Sequence, residues 1–340
     1  MKRRNLKRLC EVLLVRALSA LVTVVVLLTA VFFFIRVLPG DPALVLVPEG
    51  APESVLQEIR SSLGLDLPIH VQFADFMLSV FSGNLGRSWN FRVSVYALVI
   101  ERLPTTIELA CLGIVFAFFF GVVGGTFAAK NQGNYKNYLF RILTLLFFAT
   151  PVFVSGPVLQ YLFAVRWGFL PATGRIGMDR GYVITNFVPI DALLTANLRL
   201  LVDWSSHMLM PSVILGLYLS ATMGRLTIAE TLNVMKEDFV LTAQAKGLKD
   251  NVVLFKHVLR NALVPIVTAM GFQFAGLLSG AVILESIFNL SGVGSLLVGA
   301  LGTRDFPLIQ GTLVFTIIFV AAMSIILDIV YALIDPRVRR

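Results

Sequence analysis

The chain alternates long apolar runs with shorter segments that carry nearly all of its charges. A helix needs about 20 apolar residues to cross roughly 30 Å of hydrocarbon. Six runs come close to or exceed that length, and none contains Lys, Arg, Asp or Glu. They cover residues 17–35, 109–129, 142–165, 208–224, 261–284 and 306–327. This pattern predicts an all-α membrane protein with six transmembrane helices.

The composition agrees with this prediction. The chain is 57% hydrophobic and 14% charged, with a mean hydropathy of +0.85, whereas soluble domains are about 45–50% apolar and about 25% charged. The net charge of +8 does not indicate nucleic-acid binding, because the basic residues lie at the ends of apolar runs and form no stripe. The two cysteines form no CxxC or Cys/His cluster, so no metal site is predicted.

The positions of Lys and Arg predict the orientation. Most of the 28 basic residues fall in segments 1–16, 130–141 and 225–260 and in the tail after residue 335. Short loops rich in Lys and Arg stay in the cytoplasm, so we expect both termini inside. A basic segment precedes the first run, as in a signal peptide, but no small-residue cleavage site follows it. We therefore expect an uncleaved first helix.

Residues 225–260 form the only sizeable cytoplasmic loop. Apolar residues recur at helical spacing, at Ile228, Leu232, Met235, Phe239 and Ala243, which predicts one amphipathic helix.

Gly247 is expected to end this helix at the position after the C-cap, and Asp250 to cap a second short helix. Ala243, Ala245 and Gly247 would let another backbone approach closely. The residues alone also allow a helix that rests on the lipid surface.

The loop sequence EDFVLTAQAKGLKDNVVLFKHVLRNALVP (237–265) resembles the coupling-loop signature of ABC-importer permeases of the dipeptide/oligopeptide/nickel branch. Similar segments follow in the same order over nearly the whole chain. They include RVLPGDP (36–42), GNLGRSW (83–89), ERLPTTIELA (101–110), GFLPATG (168–174) and GAVILESIFNLSGVG (280–294). The LPGDP segment and the long first outside segment look like the B-type subunit. The chain departs from the branch at Leu241 and Gln244, where Arg is usual, and at Ser291, where Pro is common.

The resemblance implies the type I ABC-importer permease fold, with a permease core at about 100–330. The spans are expected at 17–35, 104–129, 142–165, 208–224, 261–284 and 312–334. Segments 36–103, 166–207 and 285–311 are expected outside the cell, and the N-terminus (1–16) and the coupling loop (225–260) inside. The chain would be a multi-pass protein of the inner (cytoplasmic) membrane.

The resemblance also implies partners. They are a C-type permease subunit, two ATPase subunits that bind ATP and Mg²⁺, and an extracytoplasmic substrate-binding protein. This chain has no GxxxxGK[ST] phosphate loop, so we expect no cofactor in it and no enzymatic activity of its own. The residues implied in ATPase coupling are Glu237, Asp238, Ala243, Ala245, Lys246 and Gly247.

Further candidates come from polar residues and helix breakers. Pro151, Ser155, Gln160 and Gln273 lie within apolar runs and are candidates to line the path, although each glutamine could instead bond a neighbouring helix.

The candidate contacts for a binding protein are Asp41, Arg87, Arg304 and Asp305, and capping of the helix ends is the alternative role for their segments. We expect Glu108 and Glu285, near the outer ends of spans, to be solvated at the interface.

Relatives of this branch carry peptides, oligosaccharides, nickel chelates or glutathione, and peptides are expected from the branch as a whole. A secondary transporter is the rival from another class, but it would tend to show paired inverted repeats with broken helices, and no clear repeat is visible.

Overall fold

The computed structural model describes residues 2–37, 41–47 and 50–334, and within these ranges it leaves out the side chains of 2–17, 264, 272, 274–279 and 327–334. The described residues form helices and no strand, apart from one isolated bridge between Arg87 and Ser94. The helices outside the predicted spans are α2 (Pro42–Leu46), α3 (Glu53–Ser62), α4 (Ile69–Phe81), α8 (Val188–Leu194), α10 (Asp238–Ala245) and α12 (Val293–Thr303). The helices that contain the spans are α1 (Lys2–Val37), α5 (Val95–Lys130), α6 (Tyr135–Ala149), α7 (Val152–Arg166), α9 (Leu198–Val234), α11 (250–287) and α13 (Phe306–Ile334).

The helix lengths support the predicted membrane architecture. Four stretches are long and apolar enough to cross a membrane, at Leu18–Val37, Val95–Lys130, Leu198–Val234 and Phe306–Ile326. Two bent pairs bring the number of candidate spans among the described residues to six, with a bend of 103° between α6 and α7 and of 51° within α11. The all-helical membrane fold predicted from the apolar runs is thereby confirmed.

Two helices extend well beyond the apolar runs that predicted them. α5 begins at Val95 rather than at 104, and α9 covers 37 residues, which is about 55 Å at 1.5 Å per residue. Both therefore project beyond a hydrocarbon layer of roughly 30 Å. Pro211 lies inside α9, and the helix continues on both sides of it.

The chain divides into two compact units, and the first contains residues 1–102 and 296–329. Here α1 packs on α4 and α13 through Leu28, Phe32, Phe76 and Val314, all nearly inaccessible to solvent. Aromatic contacts tighten this cluster, since the Phe32 ring lies 5.1 Å from that of Phe73 and 5.5 Å from that of Phe76.

The second unit contains residues 103–295, and its core is the pairing of α9 with α5 and α11. Small residues recur every four positions on both α5 and α9. They lie at 113, 117, 121 and 125 on α5 and at 216, 220 and 224 on α9. A Cβ atom on Gly216 would lie 2.4 Å from Phe116 Cβ, and one on Gly121 would lie 2.6 Å from Met223 Cβ. Small residues at such spacing let membrane helices approach closely.

The third predicted span is broken in its middle. α6 ends at Ala149, and α7 begins after Pro151, whose backbone is extended (φ −58°, ψ 144°). A residue before proline is disfavoured in helical geometry, so Thr150 ends α6, and its N–H group bonds Leu146 O at 3.0 Å. Pro151, a helix breaker within the third apolar run, therefore interrupts this span.

Candidate functional site

The 225–260 loop is built from three helical pieces. α9 ends at Val234, and the Glu237 N–H group closes a turn onto Val234 O at 3.1 Å before α10 begins at Asp238. The prediction of one continuous helix through Phe239 and Ala243 is therefore wrong. The extended backbone of Glu237 (φ −75°, ψ 144°) interrupts it, and the apolar spacing does not reveal a turn this tight.

Gly247 ends α10 as predicted, in the position after the C-cap. Its φ is +74°, a region that L-residues with a Cβ atom adopt only with strain. The Gly247 N–H group bonds Gln244 O at 2.9 Å, and the Leu248 N–H group reaches Ala243 O at 3.4 Å. This pair of bonds is the Schellman motif, so α10 has a sharply defined end.

One face of α10 is packed inside the chain. Val240 and Ala243 form a buried cluster with Val253 and Val258 of α11, flanked by Val234 and Met235. Ala243 is only 7% exposed, so the expectation that its methyl group lies on the outer contact surface does not fit its position. Small size at this position instead lets α10 lie close to α11.

The second part of the loop is continuous with the fifth span. Asp250 is the first residue of α11, and Lys249 occupies the cap position without a side-chain bond, so the prediction that Asp250 is an N-cap is wrong. Asn251 Oδ1 accepts a hydrogen bond of 2.7 Å from Lys130 Nζ. The rings of Phe127 and Phe255 meet edge to face at 5.2 Å. Through these contacts the loop is joined to both α5 and α11.

The other face of α10 is open. Phe239, Leu241 and Leu248 expose large apolar side chains, with Leu241 58% exposed. A Cβ atom on Gly247 would meet nothing within 4 Å. The charged candidates Glu237, Asp238 and Lys246 and the small Ala245 are also exposed. The loop thus presents an apolar, partly charged surface, backed by a rigid internal cluster.

The candidate path residues have different surroundings. Gln160 Nε2 donates to Ala172 O at 2.7 Å and to Ile287 O at 3.3 Å. Its amide therefore joins α7 to the 168–187 segment and to the end of α11. Pro151 is exposed at the break, and Ser155 Oγ lies 3.4 Å from Pro151 O. Gln273 is half-buried in α11.

Among the outer candidates, Arg87 and Arg304 are exposed, whereas Asp305 is 1% exposed. Its carboxylate accepts bonds from Ser88 Oγ at 2.5 Å, from Asn90 N–H at 3.0 Å and from Leu308 N–H at 3.2 Å. Asp305 therefore caps α13 and holds the 88–90 turn, so a direct contact of this side chain with another protein does not fit its burial.

Asp41 caps α2 through a bond of 2.9 Å from Ala43 N–H and pairs with Arg60. Burial raises the pKa of the Asp41 carboxyl, but the Ala43 hydrogen bond and the Arg60 guanidinium outweigh it, and the pKa lies below its usual value. Asp41 thus has a structural role within its segment.

Glu108 is a buried hub rather than a solvated side chain, which corrects the expectation from its place near the end of a span. It is 5% exposed and accepts two hydrogen bonds from Arg175, at 2.9 and 2.6 Å. Val188 N–H and Trp204 Nε1 also donate hydrogen bonds to this carboxylate, at 2.8 and 2.9 Å. One carboxylate therefore joins α5, the 168–187 segment, α8 and α9.

Glu285 is also buried and not solvated. It accepts from Thr106 Oγ at 2.6 Å and from Ser295 N–H at 3.0 Å, at the start of α12. A Cβ atom on Gly292 would lie 2.2 Å from Glu285 Cδ, which explains why glycine follows Ser291. No periodicity signals these pairings, because the partners lie far apart in the sequence.

No group of three or more metal-ligating side chains occurs among the residues that the structure describes. The geometry instead combines two bent spans with a 225–260 loop that exposes an apolar face.

Comparisons with known proteins match this arrangement. Residues 9–110 match the N-terminal part, and residues 121–340 the main part, of the binding-protein-dependent transport system inner membrane component family. The chain is 36% identical over 312 residues to the di/tripeptide transport system permease protein DppB of Pseudomonas aeruginosa, covering 91% of this chain and 92% of that protein.

It is 33% identical over 314 residues to the dipeptide transport system permease protein DppB of Escherichia coli K12, with 91% and 92% covered. It is 34% identical over 335 residues to a putative peptide transport system permease protein of Brucella abortus, with 98% of each covered. The resemblance drawn from the loop and its companion motifs is confirmed, and the chain belongs to the binding-protein-dependent transport system inner membrane component family.

Proposed function

We propose that this chain is a permease subunit of an ATP-driven peptide importer and forms half of the path through the inner membrane. The relatives match this chain over almost their full length, and they are named as permeases for dipeptides, tripeptides or peptides. The chain carries no phosphate loop for ATP. ATP and Mg²⁺ would be bound by two separate ATPase subunits.

The coupling loop is the observation that carries the proposal. α10 has an exposed apolar face around Leu241 and a buried face fixed to α11 through Ala243 and Val253. A force on the exposed face moves α10 as one body with the start of α11. Lys130 and Phe127 extend this connection to α5. ATP-driven closure of the ATPase subunits would thus reach two spans at once.

The remaining assignments follow from this role. A C-type permease would supply the second half of the path, and a binding protein would deliver the peptide outside. Both termini would lie in the cytoplasm, as the distribution of Lys and Arg favours. The break between α6 and α7 brings Pro151 and Ser155 to a bend of 103°, and we assign this bend to the path because irregular backbone is tolerated at membrane depth only where protein or water surrounds it.

The test is Gly247→Asp in the assembled transporter, reconstituted in liposomes with its binding protein. The change adds a charge to an open surface at the proposed ATPase contact. An unpaired charge in a contact costs about 2–5 kcal/mol, and about 1.4 kcal/mol is a tenfold effect. We expect ATP hydrolysis to persist while labelled-peptide uptake falls more than tenfold.

Two controls separate the contact from the backbone. Gly247→Asn has the same shape without the charge and tolerates positive φ, so it should keep more uptake than Gly247→Asp. Gly133→Asp adds the same charge at another exposed cytoplasmic glycine (φ +81°, nothing within 4 Å) and should transport normally. Native uptake by Gly247→Asp would show that the ATPase contact lies elsewhere.

The substrate class needs its own experiment. The cognate binding protein, purified from cells grown on peptides, should carry di- or oligopeptides that mass spectrometry identifies. Recovery of an oligosaccharide, a nickel chelate or glutathione would overturn the peptide assignment and leave the importer mechanism intact. Uptake that survives loss of the ATPase subunits and follows an ion gradient would instead indicate a secondary transporter.

A further inference from the structure

The helix α4 has three distinct faces. Phe73, Phe76, Met77 and Val80 pack against α1 in the buried cluster of the first unit. Gln72, Asp75 and Ser79 line a cavity of about 440 Å³ together with Arg36 and Gln310. The third face presents Ala74, Leu78 and Phe81, which are all exposed.

The third face is apolar and regular. Its members are spaced four and three residues apart, so they form one stripe along the helix. Leu78 is 69% exposed and Phe81 is 67% exposed. Gln72, Asp75 and Ser79 are thus kept on a different face, which opens on the cavity, whereas the exposed His70 lies four residues before Ala74, at the N-terminal end of the stripe. Water would not favour this separation, because it leaves two large apolar side chains solvated.

Contacts within the first unit place α4 against two candidate spans. Its aromatic side chains meet Phe32, close to the end of the candidate span Leu18–Val37 that lies away from the basic N-terminus. The same buried cluster includes Val314, inside the candidate span Phe306–Ile326. Trp89 lies 6.0 Å from Phe306, the first residue of α13, and Trp is typical of membrane interfaces.

From these observations we propose that α4 is an interfacial helix and that the stripe Ala74–Leu78–Phe81 is buried in the acyl chains of the outer leaflet. Lipid is the occupant that fits, because the stripe Ala74–Leu78–Phe81 carries no charge or hydrogen-bonding side chain and α4 packs on residues of two candidate spans. An amphipathic helix of this kind lies in the plane of the interface. It would fix the long outer segment to the bilayer surface, beside the cavity that contains Arg36.

The neighbouring helix α3 gives a matched contrast. It is of similar length to α4 and lies in the same outer segment, but it has no buried residue and carries Glu53, Glu58 and Arg60. Glu58 is exposed. α3 has the composition of a helix in water, so the two helices should differ in what surrounds them.

The experiment measures what contacts each helix. Single nitroxide labels are placed at Ala74→Cys, Leu78→Cys, Phe81→Cys and Glu58→Cys in the reconstituted transporter, with Cys10 and Cys111 replaced by Ser and with partner subunits that lack cysteine. Dissolved oxygen collects in lipid, and a water-soluble nickel chelate does not. We expect oxygen collisions to exceed nickel collisions at the three stripe positions and the reverse at position 58.

Two results would overturn the proposal. Strong nickel collisions along the stripe would mean that it faces water, and weak collisions with both reagents would mean that another protein covers it. Each variant is first checked for peptide uptake, so that only folded transporter is compared. Ala74→Cys is the mildest of the changes and gives an answer even if the larger side chains prove necessary for folding.

Discussion

Replacing Glu108 by Gln tests whether the buried carboxylate holds α5, α8, α9 and the 168–187 segment together. The side chain keeps its size but loses its charge. Arg175 would lose its charged partner, and its own side chain is 12% exposed. Oε1 now accepts from Arg175 and Val188 N–H, and Oε2 from Arg175 and Trp204 Nε1. The amide nitrogen of Gln would therefore face two donors at whichever position it occupies.

The magnitude follows from the bonds that are lost. A hydrogen bond to a charged group contributes about 1.5–3 kcal/mol, and removing one partner of a buried ion pair costs about 3–5 kcal/mol. Gln can satisfy some of the four donors, so we expect a loss of about 3–4 kcal/mol of stability. In a unit of this size, that corresponds to a fall of roughly 10 °C in melting temperature.

The assay is the temperature at which half of the purified transporter loses its monodisperse elution profile. Glu58→Gln is the matched control, because this carboxylate is exposed, and such changes alter stability by about 0.5 kcal/mol or less. If the melting temperature of Glu108→Gln equals that of Glu58→Gln and of the unchanged protein, the Glu108 carboxylate does not stabilise the fold.

Three further outcomes are expected. Gly216→Ala should destabilise the α5–α9 pairing by about 1–3 kcal/mol, because the new Cβ would lie 2.4 Å from Phe116 Cβ. Gly302→Ala is the control: a Cβ there would meet nothing within 4 Å, so this change should be neutral or stabilising in the same thermal assay. Asp305→Asn should lower the melting temperature and make the 88–90 turn more sensitive to proteolysis, and unchanged protection there would contradict its role as a tie. Burial raises the pKa of the Asp191 carboxyl, but bonds from Thr185 and Ile184 and the Arg180 guanidinium hold it below its usual range. The stability that this carboxylate contributes is therefore full at neutral pH and lost as the pH falls through its depressed pKa, so Asp191→Asn should flatten the acid side of the melting-temperature profile.

Much of the architecture was accessible from the apolar pattern. Six apolar runs predicted the candidate spans, because a hydrocarbon layer sets a minimum length for any crossing helix. Pro151 marked the break in the third span, because proline has no backbone N–H donor and disfavours helical geometry in the residue before it. Gly247 marked the end of α10, because only glycine adopts positive φ freely.

The sequence-based predictions that the structure corrects share one physical cause. Local spacing does not report which side chains are covered by distant parts of the chain. Ala243 and Asp305 were expected at contact surfaces, and both are buried. Glu108 and Glu285 were expected in the interface with water, and both are paired with groups far along the sequence. The turn at Glu237 was missed because the apolar period continues across it.

The sequence by itself therefore determined the membrane class, the spans and the family, since hydropathy and turn chemistry are local properties. Only the tertiary structure decided which face of α10 is open and which is held against α11. Only it showed that the 88–90 turn and the 168–187 segment are tied by the buried carboxylates of Asp305 and Glu108. Burial and pairing depend on neighbours that the chain brings together from opposite ends, so no local pattern can assign them.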